Sequence, residues 1–151
     1  AYLNNPQKTS EVIHNGWYNT GDSARIDRDG YITITDRVSR FSKIGGEMVP
    51  HGALEEILVD AVSTEQPSIA VTSVPDSKKG EKIVVLYTSE AGSGEKLRML
   101  VNNADIPNLW KTQTFLKIDS IPLLGSGKLD LKGIKELALE KYSEESMLIA
   151  A

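Results

Sequence analysis

From Ala24 onward apolar residues recur with recognisable periods, whereas residues 1–23 keep neither helical nor strand periodicity and read as an arm. Ile26, Ile32 and Ile34, the latter two alternating with Thr33 and Thr35, flank the turn Asp27-Arg28-Asp29-Gly30, the pattern of a small hairpin over residues 24–37. A two-stranded hairpin is marginal in water by itself, so this one needs a surface to pack on. Residues 36–46 follow as a charged, glycine-ended connector. After Pro50, which suits a first helical position, Leu54, Ile57, Leu58, Ala61 and Val62 share one helical face. The β-branched runs 68–74 and 82–88, separated by a polar turn at 75–80, predict two strands. Leu97, Leu100, Val101 and Ala104 restore helical spacing, and residues 114–118 predict a third strand. Asp130 can cap a last helix that carries Leu131, Ile134, Leu137 and Ala138 on one side.

This order predicts an α+β fold, a small hairpin followed by a three-stranded sheet packed with about three helices. The expected divisions are an arm at 1–23, the hairpin at 24–37, a body at 38–142 and a tail at 143–151. The chain opens Ala1-Tyr2-Leu3 and runs straight into a polar, turn-rich stretch, so we expect a fragment of a longer protein. With 151 residues it can form one ordinary core. Its 40% apolar and 25% charged residues fit a soluble globular protein, and no apolar run approaches a membrane span. The formal charge of -4 argues against a nucleic-acid footprint, although local basic clusters are not excluded by it. The absence of cysteine excludes disulfides, thiolate zinc sites and cysteine nucleophiles, and fits a reducing, cytoplasmic compartment.

Two glycine-bracketed strings carry candidate chemistry. GWYNTGD at 16–22 presents a carboxylate, Asp22, and PLLGSGKLD at 122–130 presents an ammonium, Lys128, in what reads as a flexible loop. GSGK is not a Walker loop, because Pro122 and Leu129 stand where that motif needs Gly and Ser or Thr. A point-charge donor in a loop suits neutralisation of a carboxylate or phosphate in a transition state, but a solvated lysine before a helix cap is the commoner occurrence. A carboxylate such as Asp22 can accept two hydroxyl hydrogen bonds, as a ribose diol requires, or can simply be a turn residue. Arg37 reads either as a second nucleotide contact or as a strand-end ion pair with Asp36. Asp27, Asp29 and Gly30 fit a plain turn better than a calcium loop, because Arg25 takes the first ligand position. His14 and His51 lack carboxylate company and are assigned no chemistry or metal. Trp17, Tyr18 and Trp110 read as packing residues. Lys128, Lys132 and Lys135 form either a dock for an acidic partner or a solvated helix face.

Taken in order, GWYNTGD, DGYITITDR, RFSKIGGEMVPHGALEEIL and PLLGSGKLD resemble the C-terminal part of the adenylate-forming superfamily, which includes acyl-CoA ligases, luciferases and adenylation domains. The resemblance spans nearly the whole chain. It implies an ATP- and magnesium-dependent parent in which an N-terminal adenylation domain, absent here, holds the triphosphate and acyl pockets. A mobile C-terminal domain then serves acyl-adenylate formation and, after rotation, thiol attack. By resemblance, Asp22 binds the ribose hydroxyls, Arg37 helps to hold the nucleotide, and Lys128 bridges the acid carboxylate and the α-phosphate. After rotation, Lys43 would enter the thioester step while Gly45 and Gly46 line the thiol channel. The hinge position falls on Ser39, where the family often has Asp or Lys.

The strings EMVPH after Gly46, IPNLW at 106–110 and LLG at 123–125 look most like acyl-acyl carrier protein synthetases, including those fused to a lysophospholipid acyltransferase that recycle 2-acylglycerophosphoethanolamine. The expectation is therefore an AMP-forming fatty acid:acyl carrier protein ligase whose isolated C-terminal fragment is inactive. It would be cytoplasmic, or at the cytoplasmic membrane face if the parent carries an acyltransferase or membrane domain. The alternatives are the same domain of an acyl-CoA ligase, with coenzyme A as acceptor, and a non-catalytic module that docks carrier protein.

Overall fold

The computed structural model describes residues 1–150, and the side chains of residues 1–144. The chain divides into two compact units, residues 1–39 and 40–151, at a 3-10 turn, Val38–Arg40.

The first unit has more structure than an arm. A short helix α1 (Pro6–Val12) begins where Asn5 accepts the backbone N–H of Lys8, and a two-residue ribbon of β1 (Ile13–His14) and β2 (Trp17–Tyr18) follows. Elements this short have no room for a periodic apolar face, so sequence periodicity could not register them. Nor can they bury large side chains: Trp17 is 82% exposed, and Tyr18 is exposed with it, so neither is the packing residue expected. The predicted hairpin is present as β3 (Asp22–Ile26) and β4 (Ile32–Arg37), starting at Asp22. Its turn is held by Asp27, whose Oδ1 accepts the N–H groups of Asp29 and Tyr31, the plain turn the sequence favoured.

In the second unit the later part of the expected connector, together with the residues just after it, forms a β-hairpin, β5 (Phe41–Ile44) and β6 (Glu47–Pro50). Gly45 and Gly46 make its two-residue turn, with φ of 57° and 94°. Turns with both central residues at positive φ match the right-handed twist of the strands, and glycine alone enters them without strain. Gly46→Ala is accordingly expected to cost about 1–2 kcal/mol although its Cβ would meet open space. A lowered urea midpoint beside an unchanged Gly45→Asn variant would check it, since Asn tolerates φ near that of Gly45.

The three predicted strands are β7 (Ile69–Asp76), β8 (Gly80–Tyr87) and β9 (Phe115–Lys117). The new hairpin joins them, so the sheet has five strands in the order β6-β5-β8-β7, with β9 parallel to β8 on the edge that β5 leaves open. Alternate residues of β7 and β8 feed two cores. Ile69, Val71, Ile83 and Val85 pack beneath α2 (His51–Val62) and α3 (Gly94–Asn103), with Leu54, Leu58, Leu97 and Val101. Ala70, Val74, Val84 and Leu86 pack beneath α4 (Leu131–Ala150), with Ile134 and Ala138. Burial on both faces explains why these strands read as continuous apolar runs. Trp110 packs, half-buried, against the first core, as expected of it.

Asp130 caps α4, its Oδ1 accepting the N–H of Gly133 at 3.1 Å. The helix continues through residues 143–150, which the sequence assigned to a tail; its Ser and Glu positions there are good enough helix residues to extend a helix already nucleated. Residue 151 of that tail lies outside the described residues. Among the described residues, no helix is long and apolar enough to cross a membrane.

Candidate functional site

Each unit carries part of the chemistry that the sequence singled out. In the first, hairpin register places Asp22 directly opposite Arg37. Arg37 Nη1 lies 3.0 Å from Asp22 Oδ1 and donates to the Thr20 carbonyl at 2.8 Å. Arg37 therefore pairs across the hairpin with Asp22, while Asp36 Oδ1 accepts the Arg37 backbone N–H. The guanidinium engages Oδ1 of Asp22 and fixes the carboxylate, whose Oδ2 can accept a hydroxyl. The two proposed nucleotide contacts, fifteen residues apart in sequence, thus form one small acceptor-donor pair.

In the second unit Lys128 ends a closed turn rather than a loose loop. Leu124 N–H donates to the Lys128 carbonyl at 2.8 Å and Gly127 N–H to the Leu124 carbonyl at 2.8 Å, while Leu123 and Leu129 form a β-bridge below. Gly127, at φ 79°, supplies the left-handed position. The backbone is tied, yet the ammonium is exposed and makes no ion pair or hydrogen bond among the described residues.

Lys43 lies on β5 with its side chain exposed, one residue before Ile44 and the Gly45-Gly46 turn. This hairpin meets the sheet at the β7–β8 turn, where Gly45 N–H donates to the Lys79 carbonyl at 3.0 Å. The Leu123–Leu129 bridge lies at the other end of the same ladder, where Leu123 shares a cavity wall with Pro67 and Thr88. Seven residue steps from Gly80 to Tyr87 make that ladder about 23 Å long. The two candidate lysines are therefore carried at opposite ends of one packed sheet.

Beside the Gly45-Gly46 turn is an open cavity of about 300 Å³. Its wall includes Ile44, the cations Lys78, Lys79, Lys82 and Lys111, and the acids Asp76 and Glu81. Lys78 and Lys79 sit in the polar turn between β7 and β8, and Lys82 and Lys111 join them through strand and loop placement. Asp76 is held below the usual carboxylate range by the backbone N–H groups of Lys79 and Lys78. Burial pushes Glu81 upward, but hydrogen bonds from Ser73 and the Lys43 backbone, with the charges of Lys135 and His51, leave it below its ordinary value.

Other expectations change. Lys132 pairs with Glu136 at 3.7 Å, and Lys135 turns to Ser73 Oγ at 2.8 Å and Glu81 at 3.7 Å, so these lysines do not present a common free face. His51 is buried and 2.6 Å from the equally buried Ser42 Oγ, a structural polar pair beneath the β5–β6 hairpin. Among the described residues, no group of three or more His, Asp or Glu is placed to hold a metal ion.

No family model matches the chain. It is similar to a medium/long-chain-fatty-acid–CoA ligase of Mycobacterium tuberculosis, 33% identical over 145 residues that take in 89% of this chain and 25% of that protein. It is also similar to a 4-hydroxybutyrate–CoA ligase of Metallosphaera sedula, 30% identical over 152 residues, 96% of this chain and 26% of that one. Among solved structures, it resembles an amide bond synthetase from Marinactinospora thermotolerans with a TM-score of 0.69 at 27% identity, covering 92% of this chain and 28% of the other. The chain spans about a quarter of the length of the curated relatives it matches.

Proposed function

We propose that this chain, whose homologues and structural neighbours are AMP-forming ligases of the adenylate-forming superfamily matched at their C-terminal domain, serves as that domain in an ATP-dependent ligase activating a carboxylic acid, with a fatty acid as substrate and coenzyme A as acceptor. The observation that carries it is the separation of Lys128 and Lys43 by a sheet ladder about 23 Å long. Two lysines carried at opposite ends of one packed unit cannot serve a single reacting centre together; they can serve it in turn if the unit reorients.

In the first presentation Lys128 brings its ammonium between the acid carboxylate and the α-phosphate, two anions whose mutual repulsion opposes attack. Asp22, oriented by Arg37, accepts the ribose hydroxyls. Reorientation at Ser39, the last residue of the first unit, withdraws Lys128 and brings in the β5–β6 hairpin, with Gly45 and Gly46 offering a turn without side chains along which a thiol can pass. ATP binds mainly through the N-terminal domain of the parent, and magnesium supplies charge neutralisation at the phosphates there.

The sequence favoured acyl carrier protein as acceptor. The relatives named above are coenzyme A ligases, which fits the alternative. Two features of the second unit support that choice: Lys135 is engaged by Ser73 and Glu81 within the fold, and the lysine-walled cavity adjoins the hairpin that would admit the thiol. Its cations suit the phosphates of a nucleotide-bearing thiol.

The test is thioester formation by the full-length parent with ATP, magnesium and a long-chain fatty acid, on coenzyme A and on holo acyl carrier protein in parallel. Acylation of coenzyme A is expected. Preference for the carrier protein would reinstate that acceptor, failure to form acyl adenylate would refute the ligase reading, and ATP turnover by the 151-residue chain alone would refute its role as one domain of two.

A further inference from the structure

The β5–β6 hairpin is attached to the sheet by remarkably little backbone. Between β5 and β8 the register consists of the single pair Ile44 with Gly80. One residue further along, where a continuing antiparallel ladder would pair Lys43 with Glu81, the strands no longer pair. The Lys43 N–H still points at β8, and an unpartnered backbone donor at such a position is unfavourable. It is met by a side chain: Glu81 Oε2 accepts the Lys43 N–H at 2.8 Å.

Glu81 is itself held from behind. Its other oxygen, Oε1, accepts from Ser73 Oγ at 2.7 Å, and Ser73 Oγ accepts from Lys135 Nζ at 2.8 Å. The donors run in one direction, from the α4 ammonium through the β7 hydroxyl to the β8 carboxylate, and both oxygens of that carboxylate are used as acceptors. Ser73, in the middle of the relay, is 1% exposed, whereas the charged groups at its two ends, Lys135 and Glu81, are partly open to water. A carboxylate is the one side-chain group of this length that accepts on both oxygens. Glutamine would turn an NH2 group toward one of the two donors and lose that bond.

We infer that Glu81 is a positioning residue for the thioester step, fixing through the Lys43 N–H the hairpin that carries Lys43, Gly45 and Gly46. This rests on the function proposed above, in which that hairpin serves thiol attack while Lys128 serves adenylation. Glu81 acts at the hairpin end of the sheet and makes no contact with the Lys128 turn, so its loss falls on one half-reaction. Because Glu81 also borders the lysine-walled cavity, its positioning role is read in the rate at saturating coenzyme A rather than in KM.

The experiment compares wild-type full-length parent with Glu81→Gln and, in case that variant folds poorly, Ser73→Ala, which removes only the support behind the carboxylate. Two quantities are read: ATP–pyrophosphate exchange driven by fatty acid, and single-turnover thioester formation from preformed acyl adenylate at saturating coenzyme A. Loss of one charged hydrogen bond predicts thioester formation slowed about ten- to a hundredfold in Glu81→Gln and about threefold in Ser73→Ala, with exchange held within about twofold. Equal slowing of both half-reactions, an effect confined to KM for coenzyme A, or no effect of either substitution would overturn the assignment. If the wild-type parent forms no acyl adenylate, the proposed function fails instead. Hydrogen exchange at the Lys43 amide then decides the hairpin attachment: about tenfold faster exchange in Glu81→Gln upholds it, and unchanged protection overturns it.

Discussion

Lys128→Ala in the full-length parent is expected to slow acyl-adenylate formation about 10²- to 10³-fold, equivalent to roughly 3–4 kcal/mol of barrier. The side chain is exposed and makes no bond among the described residues, so the folded unit loses no contact and its thermal unfolding should be unchanged. What disappears is a positive charge delivered between two anions by a backbone turn already closed by the Leu124 and Gly127 hydrogen bonds. Thioester formation from preformed acyl adenylate should stay within about twofold, because Lys128 then sits at the far end of the ladder from the hairpin in use. ATP–pyrophosphate exchange and single-turnover thioester assays check the two halves separately. Unchanged exchange would remove Lys128 from catalysis and favour a module whose task is docking.

Leu54→Ala is expected to destabilise the second unit by about 2–5 kcal/mol, a large share of the 5–15 kcal/mol typical of a domain. Leu54 is fully buried on α2, in the same cluster as Ile44 and Val49 of the β5–β6 hairpin and Ile69 and Val85 of the central strands. Truncation leaves a cavity beneath the hairpin, where β5 has one paired residue on β8 and little freedom to collapse without losing it. Urea unfolding of the 151-residue chain followed by circular dichroism would measure the loss. A cost below about 1 kcal/mol would mean that α2 and the hairpin are not packed as described. In the parent the same substitution should weaken the thioester step more than adenylation, since the hairpin is the part left unsupported.

Periodicity was a good guide wherever an element was long enough to bury a face. Leu54, Ile57 and Leu58 identified α2, the runs at 68–74 and 82–88 identified β7 and β8, and Asp130 marked the start of α4. It failed on Phe41–Ile44 and Glu47–Pro50, each four residues long and joined by glycines, which resemble a linker until β8 gives them an edge to join. It failed for the same reason on α1 and the β1–β2 ribbon, which bury almost nothing. Of the last-helix lysines, read either as a dock or as a solvated face, Lys132 is solvated beside Glu136, whereas Lys135 is drawn to Ser73 and Glu81, a direction set by what lies across from it in another strand pair.

The sequence by itself determined the α+β class, the central strands and the main helices, because composition and period are local properties, while the family resemblance of its motifs singled out Asp22, Arg37, Lys43 and Lys128 as the groups worth testing. Tertiary structure alone decided that Asp22 and Arg37 form a pair, that the candidate lysines stand at opposite ends of a ladder, and that Glu81 holds the Lys43 backbone. Each of those facts joins residues from 15 to 85 positions apart, and only strand register and packing bring such positions, or hold them, at defined distances.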